Sequence, residues 1–141
     1  MILSGCLIYK EKSILLLYRK DHDHYETPGG KLEKTECLDM DNPTIEELSK
    51  TALREVHEEL GNRIELSELK YFGNVEFIAP NGKKAVANKF LAKIISGVPT
   101  IAEPDKFSRL EYISIEELEK KNISQDLRLL MPELRKYFDV F

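Results

Sequence analysis

The run Arg54-Glu55-Val56-His57-Glu58-Glu59-Leu60-Gly61 constrains this chain more than any other segment. Its three glutamates stand at offsets of zero, three and four. On a helix, at roughly 100° per residue, they share an arc of about 100°. Like charges gathered in this way are destabilising unless something positive sits among them. Carboxylate oxygens are also the ligands that hard cations such as Mg²⁺ prefer. The apolar residues set the phase of the helix. Ile45, Leu48, Ala52, Val56 and Leu60 recur at three- and four-residue steps and predict a buried stripe. Glu59 projects almost along that stripe and Glu55 sits at its edge, whereas Glu46 and Lys50 point to solvent. A carboxylate beside a core needs a partner, and a metal is one. A charged surface helix accounts for the local run equally well.

Upstream, Thr27-Pro28-Gly29-Gly30-Lys31-Leu32-Glu33 tips the balance. Proline followed by two glycines predicts a sharp turn and permits close backbone approach. A carbonyl exposed there is a further metal ligand. Together the two segments resemble the Nudix box, which reads Gly, five residues, Glu, seven residues, Arg-Glu-aliphatic-any-Glu-Glu-any-Gly-aliphatic. Gly30, five residues and Glu36 match its first part, and Arg54 to Gly61 match its second. Two features depart from the pattern. Seventeen residues, Cys37 to Leu53, stand where the family has seven, and Asn62 replaces the closing aliphatic residue. The insertion leaves two candidates for the first box glutamate. Glu36 keeps its spacing from Gly30, and Glu46 keeps its spacing to Arg54. The turn favours Glu36, while Glu46 suits the first helical turn through the helix dipole.

The resemblance implies one Nudix domain over residues 1–141, an α/β/α sandwich with a central mixed sheet. It implies Mg²⁺, or Mn²⁺, held by the Gly30 carbonyl, Glu55, Glu58 and Glu59. It also implies a glutamate that takes a proton from water, either Glu58 or Glu55. Arg54 would orient a glutamate, with Glu36 supporting it. Many relatives carry a glutamate in a late loop over the metal site. Glu103 is the candidate here, as a metal ligand or alternative base, and Glu111 is second.

Composition agrees with this picture. The chain has 141 residues, enough for one domain with a core, and 42% of them are hydrophobic and 33% charged. No apolar run is long enough for a membrane span, and Met1-Ile2-Leu3-Ser4-Gly5 lacks the basic start of a signal peptide. Two cysteines do not make a disulfide scaffold, so a cytoplasmic location is expected. Cys6 reads as a core residue, and Cys37 has no visible thiolate activator. A net charge of −4 makes a poor trap for nucleic acid polymers. A divalent ion reconciles an acidic protein with an acidic small-molecule nucleotide. Arg19, Lys20 and Lys31 are the basic residues nearest the turn, and Arg19 and Lys31 are candidate phosphate contacts. Tyr25 either walls the substrate pocket or packs. A homodimer is left open.

Strands are expected from Ile2 to Tyr9, Ile14 to Tyr18, Leu69 to Ile78, Ala85 to Ile95 and Leu110 to Ile113. Asn81-Gly82 marks a hairpin between the third and fourth. Asp21-His22-Asp23-His24 is a polar loop that could mimic a metal cluster, since His and Asp are ligands, but its short spacing favours a solvated turn. Thr44 and Glu47 form a capping box opening the carboxylate helix, which ends at Gly61 or Asn62 in a left-handed cap. Ser114 and Glu117 form a second box, and Ser124 to Phe138 is an amphipathic helix perturbed by Pro132. The inserted Leu38 to Pro43 is expected as a loop at the rim of the site.

The family's substrates are nucleoside diphosphates linked to another group. A nucleoside triphosphate, ordinary or oxidised, is the leading expectation, giving a monophosphate and pyrophosphate. ADP-ribose is the rival, with Pro80 near the position where its hydrolases carry a proline. Tyr25, Phe72, Phe77 and Phe90 are candidates for stacking a base. A non-catalytic nucleotide sensor is the alternative of another class, but such domains tend to lose box glutamates.

Overall fold

The computed structural model describes residues 1–141. Its strands are β1 (Ile2–Lys10), β2 (Ser13–Arg19), β3 (His24–Glu26), β4 (Gly29–Lys31), β5 (Glu65–Leu66), β6 (Lys70–Ile78), β7 (Lys84–Ala92), β8 (Ile94–Ser96) and β9 (Phe107–Ser114). Its α-helices are α1 (Ile45–Leu60), α2 (Ile115–Leu118) and α3 (Gln125–Phe138), with a 3₁₀ turn at Lys34–Glu36. The central sheet has the order β3-β2-β1-β7-β6, with β4 also on β1 and β9 also on β2. The β1–β7 pair is parallel and its other pairs are antiparallel, so the sheet is mixed. β1 and β2 pair only at Tyr9↔Ile14 and Lys10↔Ser13. Beyond that hairpin they part, β1 taking β4 as neighbour and β2 taking β3.

Helices cover both faces, which explains the nearly unbroken apolar runs of β1 and β2. Cys6, Ile8, Leu15 and Leu17 point to the side where Leu48, Ala52, Val56 and Leu60 of α1 pack. Leu7, Ile14 and Leu16 alternate to the other side and meet Ile115, Leu118, Leu127, Leu130, Leu134 and Phe138. The result is the expected α/β/α sandwich. No helix is long and apolar enough to cross a membrane.

Several local expectations need correction. Ile45 is 50% exposed, and Leu48 is the first stripe residue to be covered, where Ser4 of β1 donates to its carbonyl at 2.6 Å. Thr44 and Glu47 do form the reciprocal box. The far end of α1 stops at Gly61 with φ 94° and ψ 160°, outside the left-handed helical region, while its N–H still reaches the His57 carbonyl at 3.0 Å. Ser114 accepts from the Glu117 N–H and opens the short helix α2 as expected, but Glu117 does not return the bond of a full box. The fourth expected strand breaks at Lys93, and its tail, β8, joins β5 in a separate two-stranded sheet.

The larger surprise is Pro28-Gly29-Gly30. Pro28 is a bend, but Gly29 and Gly30 are strand rather than turn. Gly29 and Gly30 pair with Gly5 and Ser4, and neither has positive φ. The glycines serve close approach: a Cβ on Gly29 would sit 2.8 Å from the Gly5 Cα.

Candidate active site and metal centre

β4 is pressed between β1 and α1, and this contact builds the site. The Gly29 N–H donates to Glu59 Oε1 at 2.8 Å. A Cβ on Gly30 would land on the carboxylate of Glu55, which could then no longer lie against this strand. Arg54 ties the next layer together. Its Nε and Nη2 grip both oxygens of Glu36 at 2.8 and 2.9 Å, a bidentate pair. Its Nη1 reaches Glu55 and Glu58, each at 2.9 Å, and Nη2 also donates to the Lys31 carbonyl. Glu46 stands elsewhere, exposed and 3.6 Å from Lys50.

The helical glutamates differ in burial. Glu59 is 4% exposed, whereas the side chains of Glu55 and Glu58 are 14% and 50% exposed. Burial pushes the Glu59 carboxyl up to about 9, against the opposing pull of the Gly29 N–H, and Glu26, Glu55 and Glu103 add repulsion. Glu55 is raised mainly by burial too. Glu36 is lowered, chiefly by its hydrogen bonds from Arg54. The late loop bearing Glu103 is anchored to the end of α1, with the Ala102 N–H on the Glu59 carbonyl and the Thr100 N–H on that of Leu60, both at 3.0 Å. A buried carboxylate with one neutral donor, among three other carboxylates, fits a divalent cation. The donors are all oxygen, which suits a hard ion such as Mg²⁺.

Glu26, whose charge bears on Glu59, also lines a cavity of about 340 Å³ that none of the α1 glutamates lines. Arg19, His24, Glu26 and Thr27 form one wall, Phe77 and Pro80 another, and Asp126 of α3 a third. Asp126 is paired with the buried Lys89 at 2.8 Å, and Lys89 also donates to Thr27 Oγ1 at 2.8 Å. Burial alone would raise the Asp126 carboxyl, but Lys89 outweighs it and holds it below its ordinary value.

Of the expected substrate contacts, Arg19 lines this cavity, bonded to Asp21 at 2.9 Å and 3.5 Å from Glu26. Lys31 is exposed and touches the site through its carbonyl. Tyr25 packs. Strand alternation turns it away from His24 and Glu26, its ring lies 5.1 Å from that of Tyr18, and its hydroxyl meets Glu111 and Arg109. Glu111 is thereby occupied away from the α1 carboxylates. Among the stacking candidates, Phe77 lines the cavity, while Phe90 and Phe72 belong to the cores. The loop Leu38 to Pro43 does not rim the cavity. It is held at the start of α1, where the Leu38 N–H donates to Glu47 at 3.0 Å. Cys37 is raised by burial and by Glu47, Asp39 and Glu36, the opposite of thiolate activation.

Sequence reading missed Glu26, Thr27, Lys89 and Asp126. Only Lys89 carried a signal, as the lone charge inside an otherwise uncharged stretch, Ala85 to Ala92.

The family model described as NUDIX domain matches residues 3–134. A MutT Nudix hydrolase from Burkholderia pseudomallei is 27% identical, with TM-score 0.75 over 93% of this chain and 95% of that one. A MutT protein from Methanosarcina mazei Go1 is 22% identical, with TM-score 0.71 over 97% and 94%. The Nudix domain of Shewanella oneidensis NrtR, solved with ADP ribose, is 16% identical, with TM-score 0.72 over 97% and 87%. No curated protein matches the chain.

Proposed function

The chain belongs to the Nudix family of pyrophosphohydrolases, and we propose that it hydrolyses a nucleoside triphosphate, ordinary or oxidised, to a monophosphate and pyrophosphate. The observation that carries this reading is the junction of two parts. A carboxylate cluster packed against Gly30 is linked through Glu26 to a cavity at the small end of the 300–1,000 Å³ range typical of ligand pockets. That size suits one nucleoside. Its partner is taken to be a small cytoplasmic nucleotide rather than a nucleic acid polymer, in keeping with the net charge of −4.

The Gly30 carbonyl, Glu55, Glu58 and Glu59 would hold Mg²⁺ or Mn²⁺, with Glu103 closing from the late loop. When bound, such an ion neutralises phosphoryl oxygens and acidifies water. Glu58 is the half-exposed member of the set and is held by Arg54, so it is the first choice to accept the water proton. Glu55 and Glu103 are the alternatives. Arg54, fixed by Glu36, orients Glu55 and Glu58 rather than touching substrate. Arg19 faces the phosphates, and Phe77 supplies a face for the base.

The test is release of pyrophosphate and phosphate with Mg²⁺ across ordinary and oxidised triphosphates, ADP-ribose and diadenosine polyphosphates, with Glu58→Gln alongside. Metal-dependent turnover of a triphosphate, lost in the variant, is the expected result. Pro80 on the cavity wall and the ADP ribose complex of the Shewanella domain favour ADP-ribose as the second reading. Preferred turnover of that compound would replace the first. Tight nucleotide binding without any turnover would make the chain a sensor.

A further inference from the structure

His22, His24 and Glu26 offer ligand atoms that all lie within 4.8 Å of one another. All three line the cavity, which no α1 glutamate lines, and Glu26 is the member whose charge also bears on Glu59. We infer that these three residues form a second metal site, selective for a late first-row divalent ion such as Zn²⁺ or Co²⁺.

The backbone prepares the arrangement. His24 and Glu26 are two apart on β3 and therefore share a face. Asp23 adopts φ 49°, and this turn folds His22 back so that its ring lies 5.3 Å from that of His24. β3 is fastened on one side by β2, with Arg19↔His24 and Leu17↔Glu26 in register. On the other side Asn122 accepts from the Tyr25 N–H and donates to the Asp23 carbonyl. The loop is thus tied down at both ends of the cluster.

The donors are also oriented. Glu26 Oε2 lies 2.8 Å from His24 Nε2, while its Oε1 faces Arg19 at 3.5 Å. One carboxylate oxygen is therefore committed to the cluster and the other to the guanidinium. Asp21 Oδ2 stands 3.8 Å from His22 Nε2 and adds negative charge at the edge of the cluster. Two imidazoles and a single carboxylate oxygen suit Zn²⁺ or Co²⁺, whereas Mg²⁺ prefers oxygen throughout. Three protein ligands leave a fourth tetrahedral position open, the pattern of an exchangeable rather than a closed structural site. All three residues line the cavity, so that position faces whatever enters it. The site is independent of which substrate the enzyme takes.

The test uses the full chain with Mg²⁺ in large excess, so that the α1 carboxylates are occupied. Co²⁺ titration is expected to give a four-coordinate d–d spectrum saturating at one equivalent. His24→Gln and His22→Ala should each weaken Co²⁺ binding by at least about tenfold. The wild type alone supplies a second readout, because the chain has only three histidines. Zn²⁺ should shift the imidazole resonances of His22 and His24 and leave His57, on α1, unmoved. Unmoved His22 and His24 signals would overturn the site, even if the variants failed to fold. So would Co²⁺ binding that survives both histidine substitutions and is lost in Glu58→Gln.

Discussion

Gly30 has no side chain because the carboxylate of Glu55 occupies the space where one would go. Gly30→Ala is therefore expected to push Glu55 out of position. kcat should fall by at least about tenfold, the equivalent of roughly 1.4 kcal/mol in the barrier, with the far-UV circular dichroism unchanged. Glu59 makes a prediction about pH. Its folded pKa, about 9, lies above its ordinary value of 4.5. The folded state thus holds this proton more tightly than the unfolded chain. The associated stability is complete below about pH 4.5 and drains away as pH rises through about 9. Metal-free protein should lose denaturant midpoint over that window, Mg²⁺ should restore it, and Glu59→Gln should flatten the profile. The offsets of Glu55, Glu58 and Glu59 made this cluster legible in the sequence, because a helix converts spacing into proximity. Glu26 and Asp126 were not legible. They meet across a cavity whose walls come from opposite ends of the chain, and no local pattern records that meeting.

Elements with a strong period and a chemical boundary were the readable ones. α1 begins where Thr44 and Glu47 exchange hydrogen bonds with each other's backbone. Thr44→Ala removes that cap and should cost about 1 kcal/mol, a fall of roughly 3 °C in Tm, while kcat for correctly folded enzyme stays level. β4 was unreadable for the opposite reason. Gly-Gly-Lys has no strand propensity, and it is extended because β1 and α1 leave a slot that only bare backbone can enter. Its role in the site and its conformation have the same origin. Ile45 shows the limit of the helical period as well, since periodicity assigns a face but not where the covering layer stops.

Across the whole molecule, Lys89 is the point where three layers meet: it lies in the sheet, pairs with Asp126 of α3 and bonds to Thr27 before β4. Lys89→Met should destabilise the fold by about 3–5 kcal/mol in urea unfolding, because Asp126 is left charged and nearly enclosed. Lys89→Met with Asp126→Leu should recover much of that loss. The sheet has one more consequence, for the cell that makes it. Ile2 pairs with Val86 and Ile8 with Ala92, so β1 emerges from the ribosome roughly eighty residues ahead of its parallel neighbour. At about 5–20 residues per second, that gap lasts roughly 4–17 s. During this time Cys6 and Ile8 have only β2 and α1 to cover them, and Leu7 waits longer still for α2 and α3. The growing chain is a client for whatever shields apolar segments at the tunnel exit, and its yield should respond to translation speed between β2 and β7.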